Sequence, residues 1–224
     1  MTLQNLIDEA RDKLDDAIQP YLWSDAELVR YANNAVNRLC KEALLIVDSI
    51  TVAICSVAVL ALTQNYAKDD RIVHVREATI TPRATPLVKR NLDWLSHHWP
   101  TWRSAQAGTP IFFAEDIDEG KITLIPKPVA NDTLSLTVYR FPLTQFADTS
   151  AGRAVSPEFH WEFHPHIHAG ILAQAYGKQD SECFDRQMME RYEALFNRNV
   201  DKAKLDIYKK RYQSQTVGVH WGNI

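Results

Sequence analysis

The spacing of apolar residues changes character twice along the chain. Leu3, Leu6, Ile7, Ala10, Leu14 and Ala17 recur at helical intervals, which predicts an amphipathic helix over 2–17. Gln19-Pro20 is the expected stop. A second helix start follows at Ser24. Its hydroxyl can cap the amide of Glu27 while Glu27 reaches back, and Trp23 can staple onto Leu28. From there Leu28, Ala32, Ala35, Val36, Leu39, Ala43, Ile46 and Val47 form one stripe. The short connection between the two helices favours antiparallel neighbours.

Residues 50–80 switch to β-branched side chains. Strands are predicted at 50–52, 57–62 and 72–80, with a polar turn at 66–70 and an end to pairing at Pro82 and Pro86. A short helix over 87–98 carries Leu92, Trp94 and Leu95. Further strands are expected near 111–114, 121–125 and 134–140, with turns at 118–120 and 130–132. In the last strand Leu134, Leu136 and Val138 alternate with Ser135, Thr137 and Tyr139, the mark of a half-buried strand.

Residues 144–155 are polar and loop-like, and helical periodicity then returns. One helix is expected from about Pro165 to Gly177. A longer one from Ser181 to Tyr212 carries Phe184, Met188, Tyr192, Leu195, Phe196, Val200, Ala203 and Ile207 on one side. It would span about 48 Å, more than a compact core of this size requires. The fold class is therefore α+β: an antiparallel-type helical bundle built from N- and C-terminal helices, with an inserted small β-sheet or β-barrel-like part. The expected divisions are a helix pair at 1–48, a β-rich insertion at 49–143, C-terminal helices at 144–213 and an extended tail at 214–224.

Composition narrows the function. A net charge of −3 argues against general polyanion binding, which needs a concentrated basic surface. Cys40, Cys55 and Cys183 lie too far apart for a metal or disulfide framework and suit synthesis in a reducing cytoplasm. The opening residues form a charged amphipathic helix without the apolar core of a signal peptide. The apolar run at 50–62 is too short to cross a membrane.

Candidate chemistry is sparse. His160, His164 and His168 would share a helix face, which suits zinc, with Glu162 nearby. Yet Glu162 is displaced from the HExxH position, and Pro165 breaks the segment, so helix-start and interface histidines are the favoured reading. The acidic loop 115–120 lacks the third ligand and the distal Glu of a calcium loop and reads as a solvated hairpin turn. No nucleophile elbow, P-loop or dinucleotide fingerprint is present. The sequence thus assigns no catalytic, cofactor or metal residues. Residues 201–224 carry five cations against two aspartates. Lys209, Lys210, Arg211, Tyr212, Val219 and Trp221 are the candidate partner interface, because Trp and Tyr anchor interfaces well. A solvated helix end and a frayed terminus remain the alternatives.

The order of parts resembles the head-to-tail adaptor (connector) proteins of tailed bacteriophages, in the style of podovirus tail tubular proteins. Leu6-Ile7-Asp8-Glu9-Ala10 and Trp23-Ser24-Asp25-Ala26-Glu27-Leu28 resemble that family's first helix pair. Trp102-Arg103, Gly108-Thr109-Pro110, Ile125-Pro126-Lys127-Pro128 and Tyr139-Arg140-Phe141-Pro142-Leu143 follow in family order. Phe163-His164-Pro165 and Ala175-Tyr176 resemble the ends of its third long helix. The resemblance implies a non-enzymatic virion protein at the head-tail junction, made in the host bacterial cytoplasm. It implies a ring of identical subunits, usually twelve, between the portal protein and the tail nozzle, tail tube or fibres. Double-stranded DNA would pass through the lumen without sequence reading, and no membrane is involved. The C-terminal part tends to engage the portal in this family. Residues 1–46 carry eight acids against five bases, a surface that would repel DNA if it lined the lumen. The rival readings are a virion hydrolase acting on cell-wall glycan, which needs a carboxylate pair in a cleft, and a nucleic-acid-binding assembly factor.

Overall fold

The computed structural model describes residues 1–81, 85–180 and 182–212. Helices and strands both contribute, so the chain is α+β. It divides into two compact units. One joins Met1–Leu45 to the chain from Pro142 onward, and the other is Ile46–Phe141. The tail expected at 214–224 and the strand stop at Pro82 lie outside the described residues.

α1 (Leu3–Leu14) opens on a reciprocal cap between Thr2 and Asn5 that the sequence reading did not include. It stops before the predicted residue 17. Asp15 takes a left-handed conformation (φ 54°). The Asp16 carboxylate then accepts the amides of Leu22 and Trp23 at 2.8 and 3.2 Å and pairs with Arg11 at 2.7 Å. A buried carboxylate, rather than Gln19-Pro20, ends the helix. α2 (Asp25–Ala43) starts on the predicted capping box: Ser24 Oγ accepts the Glu27 amide, and the Glu27 carboxylate accepts the Ser24 amide at 2.8 Å. Leu44 closes it with φ 53°, so Ile46 and Val47 leave the predicted helical stripe.

They enter a strand, β1 (Ile46–Asp48), the first element of the second unit. There follow α3 (Val52–Cys55), β2 (Ser56–Val59), β3 (Asn65–Ala67), β4 (Ile72–Ile80), β5 (Val88–Lys89), α4 (Leu92–His98), β6 (Phe112–Ala114), β7 (Lys121–Ile125) and β8 (Asp132–Arg140). They make two four-stranded sheets. In the first, β8 pairs with β4 along most of its length and, in succession, with β1 through 138–140 and with β2 through 132–135, all antiparallel. Between β1 and β2, the Asp48 carboxylate accepts the amides of Ile50 and Thr51 at 2.9 and 3.0 Å, the Thr51 hydroxyl at 2.7 Å and Arg140 Nε at 2.6 Å. That knot turns 52–55 into a helical turn where β-branched residues predicted a strand at 50–52. The second sheet runs β3-β7-β6-β5, parallel only between β5 and β6. Its β3 occupies part of the expected polar turn at 66–70, and β5 with α4 replaces the single helix expected over 87–98.

Both sheets are open, which corrects the barrel-like expectation. The alternation predicted for β8 holds as far as Val138: Leu134, Leu136 and Val138 are buried and Ser135 is exposed, but Tyr139, expected on the open face, is buried as well. Leu134, Leu136 and Val138 join Ile54, Val75, Ala78, Phe113, Ile122 and Leu124 in one apolar cluster, while Leu95, Trp102, Ala114 and Ile125 form a second.

The first unit resumes with α5 (Ser150–Arg153), one helical turn within the expected loop, then α6 (His164–Tyr176) and α7 (Arg186–Tyr212). α6 buries Ile167, Ala169, Gly170, Ile171, Leu172, Ala173 and Ala175, apolar positions on nearly every side. A helix of that kind must be covered all round, and it packs against α1, α2 and α7. Gly170 sets the closest approach: a Cβ there would lie 2.7 Å from Ala35 Cβ and 3.1 Å from the Phe196 ring. Trp23 Nε1 donates to the Ala175 carbonyl at 3.0 Å, tying the entry of α2 to the end of α6. α7 starts later than the predicted Ser181, with Asp185 accepting the Met188 amide at 3.0 Å, and its 27 residues span about 40 Å. Of its predicted stripe only Phe196, Val200 and Ala203 are buried. Met188, Tyr192, Leu195 and Ile207 are half-buried, and Phe184 lies before the helix and exposed.

Candidate assembly interface

The C-terminal end of α7 carries the four described members of the predicted interface, and they separate into two pairs. Lys210 Nζ pairs with Glu162 in the short turn Trp161–Phe163 and lies 5.5 Å from the Phe163 ring centroid. The Lys210 ammonium holds the Glu162 carboxyl below its usual range. Arg211 donates to the Leu44 carbonyl at 2.6 Å, just past the end of α2. Both cations therefore fasten α7 to its own unit. Lys209 and Tyr212 are exposed, and the Tyr212 ring lies 4.9 Å from that of Tyr208. Val219 and Trp221 lie outside the described residues. Leu205, Tyr208 and Tyr212 are each more than half exposed, as is Trp161. α7 thus presents large apolar side chains that the described residues leave uncovered.

The histidines do not converge. His160 precedes the short turn and pairs with Glu162 at 3.3 Å. His164 starts α6, one residue before the predicted Pro165, and is buried with Nε2 3.0 Å from the Phe159 carbonyl. Burial pushes His164 below its ordinary value despite that contact. Burial does the same to His166, aided by the charge of Lys202. Among the described residues no group of three or more His, Cys, Asp or Glu is disposed to hold a metal ion.

The acidic loop is engaged by protein donors. Glu115 pairs with Lys68 at 3.3 Å and with Lys89, and it accepts the Val75 amide at 3.1 Å. Asp116 accepts the Leu92 amide at 3.0 Å, and Asp118 accepts Asn65 Nδ2 at 2.9 Å. Cys40, Cys55 and Cys183 are buried thiols. Burial raises Cys55 to about 11, so it stays protonated and unreactive near neutrality.

The apolar run at 50–62 stands out in the sequence, but not the second outward surface that its end forms. The loop after β2 holds Leu62 in a left-handed conformation (φ 62°), unfavourable for a leucine by about 1 kcal/mol. The loop is clamped there: Leu62 donates its amide to the Pro128 carbonyl at 2.8 Å, and Ala61 donates to Asn131 Oδ1 at 2.8 Å. Tyr66 OH donates to the Thr63 carbonyl at 2.7 Å and lies 3.0 Å from that of Leu60. The result presents Leu60, Leu62 and Val129 to solvent. The only trace in the sequence is that the apolar run outlasts the strand, which ends at Val59.

A family model described as SU10 adaptor protein matches residues 1–219. The chain belongs to the SU10 adaptor protein family. Membership indicates a bacteriophage adaptor, a structural component of the virion. No curated protein matches this adaptor. Among the described residues, no helix of the adaptor is long and apolar enough to cross a membrane.

Proposed function

We propose that the protein is a head-to-tail adaptor acting as a closed ring of identical subunits between portal and tail, without chemistry of its own. The observation that carries this reading is α7: a helix of 27 residues of which three are buried, with Leu205, Tyr208 and Tyr212 left uncovered. A head-to-tail ring needs two different faces on each subunit, and such a helix supplies one. The helices α1, α2, α6 and α7 form the bundle of the ring body, and twelve copies follow from the family resemblance. Lys209 and Tyr212, with Val219 and Trp221 beyond them, address the portal. The β unit addresses the tail nozzle, tube or fibres. α1 turns Asp8, Glu9, Asp12 and Asp15 outward against one exposed cation, Lys13. Facing the lumen, that surface repels the DNA backbone and lets the genome slide without sequence reading. DNA binding stronger than that of a neutral control protein would remove this lumen assignment.

The test is the mass of the purified protein in solution, alone and mixed with the portal ring of the same virus. A closed ring in either sample supports the proposal. A monomer that ignores the portal overturns it.

A further inference from the structure

Arg90 follows β5 and is held there by its amide, which donates to the Phe113 carbonyl at 2.9 Å. Its guanidinium carbon lies 4.5 Å from the Trp94 ring centroid and 5.8 Å from that of Phe112. Trp94 is in turn stacked on His98 at 4.7 Å, with the ring planes 7° apart. The guanidinium is thus fixed by aromatic faces. Its Nε is buried with no hydrogen-bond partner among the described residues. Arg90 and Trp94 line a cavity of about 540 Å3 together with Lys68, His74, Lys89 and Glu115.

The charges around this cavity do not balance. Glu115 is shared by both lysines, and Asp116 is taken up by the Leu92 amide. Three cations against two carboxylates leave one positive charge, and among the described residues no carboxylate pairs with Arg90. Burying a guanidinium N–H without an acceptor is costly. A planar fork fixed over an aromatic face suits a carboxylate, which can take two of its N–H groups at once. The two carboxylates already present disfavour a phosphate backbone, whose charge density is higher. The volume suits a side chain or the end of a peptide rather than a folded surface.

We propose that this cavity is a docking site for one carboxylate of a partner polypeptide, with Arg90 as the anion-binding group and Trp94 as the apolar wall beside it. The carboxylate comes from an Asp or Glu side chain or from a chain terminus. The proposal does not depend on ring formation, so it stands or falls separately from the mass measurement.

The test is a titration of the full chain, followed by NMR of the arginine Nε–H and tryptophan indole signals. The probes are acetyl-Leu-Glu-amide, acetyl-Leu-Leu with a free carboxyl terminus, acetyl-Leu-Gln-amide and inorganic phosphate. Saturable shifts of the Arg90 and Trp94 signals with one or both carboxylates, and not with the glutamine peptide, are expected, and whichever carboxylate acts identifies the source. Arg90→Gln should weaken binding about tenfold or more, the worth of one charge-assisted hydrogen bond. Arg90→Lys keeps the charge and the fold but loses the fork, and should fall between. Equal shifts with the glutamine peptide, shifts with phosphate alone, no saturation, or unchanged affinity in a folded Arg90→Lys protein would each overturn the proposal.

Discussion

The helical unit and the β unit solve the same problem in opposite ways. Each is built from segments remote in sequence, and each uses an arginine–aspartate pair to join them. In the helical unit Arg11 reaches Asp16 at 2.7 Å, Asp25 at 2.5 Å and the Trp23 carbonyl at 3.0 Å, and Arg153 closes on the other Asp25 oxygen at 2.6 Å. In the β unit Arg140 meets Asp48 across the β1–β8 pair. The difference lies in what is left over. The β unit gathers its sheets around two apolar clusters and leaves a charged cavity and the small apolar loop of Leu60, Leu62 and Val129. The helical unit leaves most of its longest helix uncovered. A surplus of apolar surface calls for another folded surface, and a single unbalanced charge calls for a single group.

Perturbing each unit in turn should tell the two apart. Asp48→Ala is expected to have the largest effect. It removes the carboxylate that accepts from Arg140 Nε and from the Ile50 and Thr51 amides, a loss of about 3–5 kcal/mol in urea unfolding. Burial alone would raise the Asp48 pKa, but the Thr51 hydroxyl, the Thr51 and Ile50 amides and Arg140 outweigh it and hold the group well below 3.8. A carboxyl depressed on folding stabilises above its unfolded pKa and loses that contribution as pH falls through its folded one. Asp48 stabilisation should therefore be complete above about pH 4 and fade below it.

The helical unit should respond in a different window. Burial lowers His164, so the neutral form is the one that fits. Its contribution is complete above the unfolded value of 6.5 and declines as pH falls below it. Unfolding of the wild type at pH 7.5 and 5.5, compared with His164→Gln, should show a larger pH-dependent loss than the variant, which keeps the contribution of His166.

Within the helices, Gly170→Ala is expected to destabilise by about 1–3 kcal/mol through the clash with Ala35 and Phe196, partly offset by about 1 kcal/mol of helix propensity. Thermal unfolding measures the net loss. Ser24→Ala removes one side of the α2 capping box and should cost about 1 kcal/mol in the same assay. Tyr212→Ala should change stability by less than about 0.5 kcal/mol, yet weaken ring formation or portal binding in sedimentation. An unchanged assembly would move the contact elsewhere on α7.

What could be read from the sequence follows the range of the interactions responsible. The Ser24–Glu27 box acts over three residues and was visible, as was the alternation along β8 as far as Val138. The helical turn at 52–55 was not, because the Asp48 carboxylate overrides the β preference of its neighbours and is itself held by Arg140, far along the chain. The end of α1 was misplaced for the same reason: Asp16 acts through Leu22 and Trp23. Lys209 to Tyr212 stood out as a cationic, aromatic run, but the partners of Lys210 and Arg211 lie at Glu162 and Leu44, beyond any local pattern. Arg90 and Trp94 are four residues apart, yet the cavity they line also needs Lys68 and Glu115.

The division of the chain has a consequence for synthesis. α2 ends at Ala43, and α6, which covers its apolar face, begins at His164. At translation rates of about 5–20 residues per second, roughly 120 intervening residues take on the order of ten seconds to emerge. For that interval the face of Leu28, Ala32, Val36 and Leu39 has only α1 to pack against. The adaptor thus keeps aggregation-prone surface open until most of its chain has been made.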